Sequence, residues 1–237
     1  MSAGRTVRAW DLPTRLFHWA LVAMILSSWL SYEYSNALGD STMKWHRYNG
    51  YAVLILIVWR LLWGVFGSST SRFATFVAWP WRAASYGIDL VRGRDRHFLG
   101  HNPLGTYMVL VLLAAVTLQT MLGMFATEHN YLTWGPLAPM IADDLTQQIT
   151  KWHKQFFWYG LIGLIIVHIV ANVLYGLVKR DPLVKAMITG RKPAADYEDT
   201  PEAAIVTAPL IRALVCLAVA TAIVLGSIVA AGGKLFY

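Results

Sequence analysis

Residues 151–178 read KWHKQFFWYGLIGLIIVHIVANVLYGLV. From residue 155 to the end of this stretch there is no charged side chain, and a helix of about 20 mostly apolar residues spans the hydrocarbon core of a bilayer. The stretch also contains two histidines, His153 and His168. Ionisable side chains are costly within a membrane and are usually functional there. We therefore predict a transmembrane helix that carries part of a binding site.

Four further apolar runs in the sequence are long enough to span a bilayer. The whole set of five is 16–33, 48–66, 104–126, 155–178 and 209–231. The composition agrees with a membrane protein, because 57% of the 237 residues are hydrophobic and only 14% are charged, whereas soluble domains average about 25% charged residues. We therefore expect an all-α integral membrane protein with five transmembrane helices.

The runs divide the chain into three parts. Residues 1–192 are expected to form a four-helix transmembrane bundle, 193–208 a polar linker, and 209–237 a C-terminal part with the fifth helix. Within the first part, residues 73–92 are rich in apolar and aromatic side chains but are interrupted by a proline and an arginine. This pattern predicts a segment along the membrane interface and not a further span.

The basic residues are distributed unevenly over the connecting segments. Fourteen Lys and Arg, counting Arg212 at the start of the fifth run, lie before the first run, between the second and third, and between the fourth and fifth, but only four lie in the other two connections. Lys and Arg accumulate in cytoplasmic loops. We therefore predict a bacterial inner-membrane protein with a cytoplasmic N-terminus and a periplasmic C-terminus. The net charge of +7 is attributed to this topology and not to nucleic-acid binding.

The sequence contains a single cysteine, Cys216. One thiol provides neither an intrachain disulfide nor a cysteine-based zinc or iron–sulfur site. The chain also lacks a CxxCH motif for covalent haem attachment. Any haem bound to this chain is therefore expected to be non-covalent.

Four of the seven histidines lie within or at the ends of predicted spans. His18 lies near the cytoplasmic end of the first run, and His46 lies at the periplasmic start of the second. His153 and His168 are fifteen residues apart on the fourth, which in an α-helix separates them by about 60° around the axis and about 22 Å along it. His153 therefore matches His46 in depth, and His168 matches His18.

Two histidine pairs at two depths match the ligands of two six-coordinate haems, whose iron takes two axial side chains. We therefore predict two non-covalent b-type haems with these four histidines as iron ligands. The alternative is that the histidines only form hydrogen bonds between helices. The other three, His97, His101 and His129, are expected to be loop residues, although the i, i+4 spacing of His97 and His101 also occurs in metal pairs.

Two arginines are expected to contact the cofactors. Arg60 lies fourteen residues after His46, about −40° around the same helix, and should point inward at the level of the cytoplasmic haem. A buried guanidinium needs an anionic or polar partner, and a haem propionate or a quinone carbonyl would serve. The alternative is that Arg60 snorkels to the interface. Arg47, which follows His46 directly, is assigned to the periplasmic haem.

Several motifs resemble one protein family. Together with His168 they cover about residues 7–192, and they resemble the bacterial cytochrome b561 family, in the branch related to the di-haem cytochrome b subunits of nickel–iron hydrogenases. The motifs are Arg15-x-Phe17-His18-Trp19, Gly100-His101-Asn102-Pro103-Leu104-Gly105, Gly135-Pro136-Leu137 and LVKAMITGRK at residues 183–192.

This resemblance implies a four-helix core that ligates two b haems from its first, second and fourth helices, at His18, His46, His153 and His168. It also implies electron exchange between a membrane quinone (ubiquinone or menaquinone) and a periplasmic partner, which would be a cytochrome c or another redox enzyme. The chain has no flavin, nucleotide or molybdenum motif. Its redox partner is therefore expected to be a separate protein or the quinone itself.

Two other functions are compatible with the same residues. A stand-alone superoxide:quinone oxidoreductase would favour a cationic funnel near the periplasmic haem, which Lys44, Arg47, Lys151 and Lys154 could supply. A proton or solute transporter would use its histidines as a proton relay. The transporter would be colourless, whereas either haem protein would be coloured.

Overall fold

The computed structural model describes residues 5–39, 41–94, 96–128 and 133–236. Within these residues the secondary structure is mostly α-helix, with one short antiparallel sheet. The helices are α1 (Leu12–Glu33), α2 (Ser35–Leu38), α3 (Ser41–Phe66), α4 (Phe73–Phe76), α5 (Pro80–Val91), α6 (Pro103–Met124), α7 (Asp143–Gln155), α8 (Ile162–Val178), α9 (Leu183–Thr189) and α10 (Pro209–Ala230). The sheet consists of β1 (Thr6–Arg8) and β2 (Arg191–Pro193).

Four helices among the described residues are long and apolar enough to cross a membrane. They are α3, α6, α10 and the continuous 36-residue helix Asp143–Val178, in which a π-helical turn, Phe156–Leu161, joins α7 to α8. The prediction of a spanning helix is thus confirmed in length and composition for four of the five runs. The remaining run forms α1, which has 22 residues but is less apolar because it contains Arg15, His18 and several serines. Its crossing of the membrane stays a prediction.

Two of the helices begin seven and twelve residues earlier than the hydropathy pattern predicted. The helix that contains the second run begins at Ser41 and not at residue 48, and the helix that contains the fourth run begins at Asp143 and not at residue 155. The added turns are polar, and the carboxylates of Asp143 and Asp144 lie in the first turn of α7, where negative charge favours the helix dipole. Hydropathy cannot detect such turns. As a result, His46 and His153 lie within helices and not at their ends.

Polar residues just before α1 and α6 fix where these helices begin. The carboxylate of Asp11 accepts the Thr14 N–H at 2.8 Å, and the side-chain oxygen of Asn102 accepts the Gly105 N–H at 2.7 Å. Such caps satisfy N–H groups that have no partner within the helix. Pro103, the first residue of α6, lacks an N–H and is favoured at this position. The motif at residues 100–105 is therefore a helix start.

The described residues form two compact units, each with its own internal contacts. Of the four predicted ligands, three fall in the second unit and His168 falls in the first. The first unit comprises Met1–Leu16, Leu61–Leu112 and Ile165–Leu214, and the second comprises Phe17–Arg60, Leu113–Leu164 and Val215–Tyr237.

The segment predicted as a polar linker, 193–208, is folded against the rest of the first unit. The carboxylate of Asp199 accepts the backbone N–H groups of Leu99 and Gly100 at 2.7 and 2.8 Å, and Ala203 is buried. Just before this segment, β2 pairs with β1. Residues 194–208, all of them described, form neither helix nor strand, but hydrogen bonds, which leave little hydropathy signal, hold the segment. Its assignment as a linker stays a prediction. The all-α prediction lacked the short sheet.

The core of the second unit includes the C-terminal helix. Val224 and Ile228 of α10 pack with Tyr51 of α3 and Met124 of α6. The buried side chains of α10 recur every four residues, which places them along one face of the helix. They are Cys216, Ala220, Val224 and Ile228.

The surface of α8 is almost entirely apolar and exposed. No residue of this helix is buried, and Val170, Leu174 and Leu177 are each about half exposed or more. Water would not favour a continuous apolar surface of this kind, whereas lipid would. Together with the four long apolar helices, this surface identifies a multi-pass membrane protein.

Candidate functional site

Two of the predicted ligands, His46 and His153, lie side by side in the second unit. The centroids of their imidazole rings are 6.2 Å apart, and the ring planes are nearly perpendicular at 89°. When two imidazole nitrogens bind opposite sides of the same metal ion at about 2 Å each, their ring centroids lie about 6 Å apart. The observed separation therefore fits two axial ligands of a single iron.

A backbone carbonyl orients each of these rings. His46 Nδ1 is 2.8 Å from the carbonyl oxygen of Ser28 on α1, and His153 Nδ1 is 3.0 Å from that of Gln119 on α6. Because a carbonyl only accepts, Nδ1 must donate the proton in both contacts. An imidazole protonated at Nδ1 has its lone pair on Nε2, and this arrangement is typical of metal-ligating histidines. Both rings are thus in the tautomer that leaves Nε2 to bind a metal.

Glycines beside the two rings leave room at the backbone. A Cβ atom at Gly123 would lie 3.1 Å from His153 Cε1, so the ring packs directly against this glycine. At Gly50, one turn after His46, a Cβ atom would meet nothing within 4 Å. Ring spacing, tautomer and the open space at Gly50 together fit a haem with two axial histidines.

Arg47, the residue after His46, is buried. Its side chain is only 8% exposed, its Nη1 donates to the carbonyl oxygen of Trp134 at 3.5 Å, and its guanidinium lies 5.5 Å from the ring centroid of Tyr48. Arginine keeps its charge in proteins. Arg47 therefore places a permanent positive charge one residue from His46.

His18 and Arg60 lie at one level of the second unit. The rings of their chain neighbours, Phe17 and Trp59, stack with centroids 5.4 Å apart and planes at 21°. Arg60 is 4% exposed, so it is buried in the protein, as expected for an inward side chain and not for a snorkelling one. Its contact with a propionate stays a prediction.

His168 lies on α8 in the first unit. The side-chain amide of Asn172 donates to the backbone carbonyl of His168 at 2.7 Å and lies 3.4 Å from its Nε2. The π-helical turn between His153 and His168 changes the rotation per residue, so the 60° offset calculated for an uninterrupted α-helix does not hold. The pairing of His168 with His18 stays a prediction.

The histidines outside the spans behave as expected for loop residues, as far as the structure describes them. The ring of His101 packs between those of Trp10 and Phe76, at centroid distances of 4.9 and 4.6 Å. No cluster of three or more His, Cys, Asp or Glu suited to a metal ion occurs in the described part of the chain. His129 lies outside the described residues.

Gln119 contacts His153, although the sequence patterns above did not single it out. This residue lies on α6, which carries none of the predicted ligands, yet its side-chain amide donates to the backbone carbonyl of His153 at 3.1 Å. Its own backbone carbonyl accepts the proton of the same histidine. A lone polar amide within the apolar run LLAAVTLQTMLG was the signal that could have identified it.

Comparisons with known proteins agree on one family. The family model described as prokaryotic cytochrome b561 matches residues 9–190. A "probable Ni/Fe-hydrogenase B-type cytochrome subunit" of Cupriavidus necator is 21% identical, covering 83% of this chain and 92% of that protein. A protein of the same name from Azotobacter vinelandii is 23% identical, covering 78% of this chain and 87% of its own length. No solved structure is significantly similar to the chain.

Proposed function

Since the chain belongs to the prokaryotic cytochrome b561 family, we propose that it is a membrane electron-transfer subunit. In this proposal two non-covalent b-type haems carry electrons between the quinone pool and a redox partner. We call the haem held by His46 and His153 the outer haem, and the haem held by His18 and His168 the inner haem. The family match and the names of the relatives support electron transfer through b haem.

The single observation that carries the proposal is the geometry of His46 and His153. Their centroid separation of 6.2 Å suits one iron between two imidazoles, and their Nδ1 atoms are both engaged by carbonyl oxygens. A haem bound there supplies a one-electron carrier, because its iron changes between the ferric and ferrous states.

The residues of the chain would fix the orientation of the haem ligands and adjust the reduction potential of the haems. The carbonyls of Ser28 and Gln119 keep the rings in one orientation, so little rearrangement accompanies electron transfer. Arg47 supplies a fixed positive charge beside the outer haem, and Arg60 supplies one at the level of His18. A nearby cation favours the state that holds the additional electron.

The orientation of the protein in the membrane is inferred from the distribution of Lys and Arg. With the segments rich in Lys and Arg on the cytoplasmic side, the inner haem faces the cytoplasm and the outer haem the periplasm of a bacterial inner membrane. A periplasmic cytochrome c or redox enzyme would then exchange electrons with the outer haem. Ubiquinone or menaquinone would be the second substrate. The hydrogenase subunits named above are relatives that support a separate enzyme as the partner.

A second candidate function is superoxide oxidation at the outer haem with reduction of quinone. It is favoured by the exposure of Lys44, Lys151 and Lys154, each of which lies within two residues of an outer-haem ligand. Cationic side chains around an opening raise the local concentration of a small anion. In this case the chain would act without a protein partner.

The experiment is an anaerobic reduction of the purified chain by a quinol, followed through the absorption of reduced haem. We expect the quinol to reduce the haems of the wild-type protein, and an oxidised cytochrome c to reoxidise them. A chain that binds haem but is not reduced by ubiquinol or menaquinol would contradict the proposal. Quinone reduction driven by superoxide alone would favour the second candidate instead.

A further inference from the structure

We propose that Gln119 is a positioning residue that holds His153 against α6 and thereby sets the redox potential of the outer haem. This inference rests on the proposed function, because it assumes that His153 ligates haem. It assigns a role to α6, a spanning helix that provides none of the four predicted ligands.

Gln119 contacts His153 through its backbone and its side chain. Its backbone carbonyl accepts the proton of His153 Nδ1 at 3.0 Å. Its side-chain Nε2 donates to the His153 backbone carbonyl at 3.1 Å and lies 3.1 Å from Nδ1. The ring and the backbone of one ligand are therefore fixed by a single residue of a neighbouring helix.

Gly123 forms the second part of the α6 surface against which the His153 ring packs. It lies one helical turn after Gln119 and therefore on the same face of α6. A Cβ atom at this position would approach His153 Cε1 to 3.1 Å and Nδ1 to 3.6 Å. The glycine thus lets the ring come close enough for Nδ1 to reach the carbonyl of Gln119.

Gln119 is a buried polar residue in a mostly apolar helix, so its amide needs a partner within the protein. The residue is only 9% exposed, and within the described residues its Oε1 has no hydrogen-bond donor. Burying an amide with one end unsatisfied costs free energy, whereas an apolar side chain of similar size would avoid this cost. The contacts to His153 are the compensating interaction at this position.

The hydrogen bond at Nδ1 determines how basic the ligand is. An imidazole that donates its Nδ1 proton to a carbonyl is a more basic ligand at Nε2, and a more basic ligand stabilises ferric iron relative to ferrous iron. Removing the side-chain amide frees the backbone of His153 and lengthens the Nδ1 contact. The ligand then becomes less basic, so the potential of the outer haem should rise.

The test compares Gln119→Met with the control Thr120→Val. Methionine keeps the length and burial of glutamine but cannot donate. Thr120 is equally buried on the same helix, and among the described residues its hydroxyl donates to the α6 carbonyls of Val116 and Thr117. Both haems are titrated potentiometrically, and the oxidised proteins are examined by electron paramagnetic resonance, which reports axial-ligand orientation.

We expect Gln119→Met to raise the potential of the outer haem and to alter its resonance signal, while the inner haem and the Thr120→Val protein keep wild-type values. An unchanged or lowered outer potential with both haems bound would overturn the proposal, as would an equal shift of both haems. If Gln119→Met binds only one haem, Gln119→Asn, which keeps a shortened amide, is titrated under the same criteria. A wild-type chain without haem would instead refute the proposed function.

Discussion

The ring centroids of His46 on α3 and His153 on α7 lie 6.2 Å apart. Each ring donates a hydrogen bond to a backbone carbonyl of a different neighbouring helix. Ser28 of α1 orients His46, and Gln119 of α6 orients His153. Four helices of the second unit thus meet at one pair of side chains. The geometry of this histidine pair therefore depends on the packing of all four helices and not on α3 and α7 alone.

Replacement of the two buried arginines should act on different haems. Loss of a nearby cation disfavours the state with the additional electron. We therefore expect Arg47→Gln to lower the midpoint potential of the outer haem, and Arg60→Gln to lower that of the haem held by His18 and His168. Redox titration of each variant, with both haems resolved, measures the two effects.

An exposed arginine provides the control for this pair. Arg212→Gln removes a positive charge from a residue on the surface of the first unit, so both potentials should stay at wild-type values. A fully haem-loaded Arg60→Gln protein with an unchanged potential would show that Arg60 does not lie beside a haem.

A buried ion pair should be essential for the stability of the first unit. Lys192 Nζ donates to the carboxylate of Asp181 and to the carbonyl of Phe98, both at 3.0 Å, and the Lys192 side chain is fully buried. Asp181→Asn leaves the ammonium uncompensated, which should cost about 3–5 kcal/mol. Thermal unfolding in detergent measures the loss. Asp181→Asn combined with Lys192→Met should be more stable than Asp181→Asn alone, and a single variant as stable as wild type would contradict the assignment.

The contribution of the Arg96–Glu198 pair should depend on pH. The two hydrogen bonds from Arg96 are 2.7 Å long, and this guanidinium holds the pKa of Glu198 below its usual value. A carboxylate with a lowered folded-state pKa stabilises the fold above its unfolded pKa, and that contribution is lost as the pH falls through the folded pKa. The pair is partly exposed, at 30% and 39%, so its contribution should be about 1 kcal/mol or less.

The corresponding measurement is the melting temperature of Glu198→Gln between pH 7 and about pH 3. The variant should melt below wild type at pH 7, and the difference should disappear at the acid end. The exposed Asp196 offers a matched control, since Asp196→Asn should show no such difference. A deficit of Glu198→Gln that persists unchanged in acid would argue against the ion pair.

The sequence contained enough information to pair His46 with His153, whose role as haem ligands stays a prediction. His46 and His153 were matched by depth alone, and the structure brings their rings together. Arg60 was expected to face inward from its spacing to His46, and it is buried. The closeness of the two rings and the burial of Arg60 were predictable because a membrane imposes one axis, so that position along the sequence converts directly into depth.

Other features could not be read from periodicity. The π-helical turn at Phe156–Leu161 changes the rotation between His153 and His168, and the polar first turns of α3 and α7 have no hydropathy signal. The segment at 193–208 is held by contacts such as Asp199 with the amides of Leu99 and Gly100. Those contacts join residues about a hundred positions apart, and only the folded chain brings them together.

Haem content of four purified proteins tests whether His46 and His153 ligate the same iron. The pyridine haemochrome assay should give two acid-extractable haems per chain for wild type. It should give one each for His46→Ala, His153→Ala and the double variant, because the three changes remove the same haem. The haem that remains reports that the protein is folded. Two haems in either single variant, or none in the double variant with one in each single variant, would contradict a shared iron.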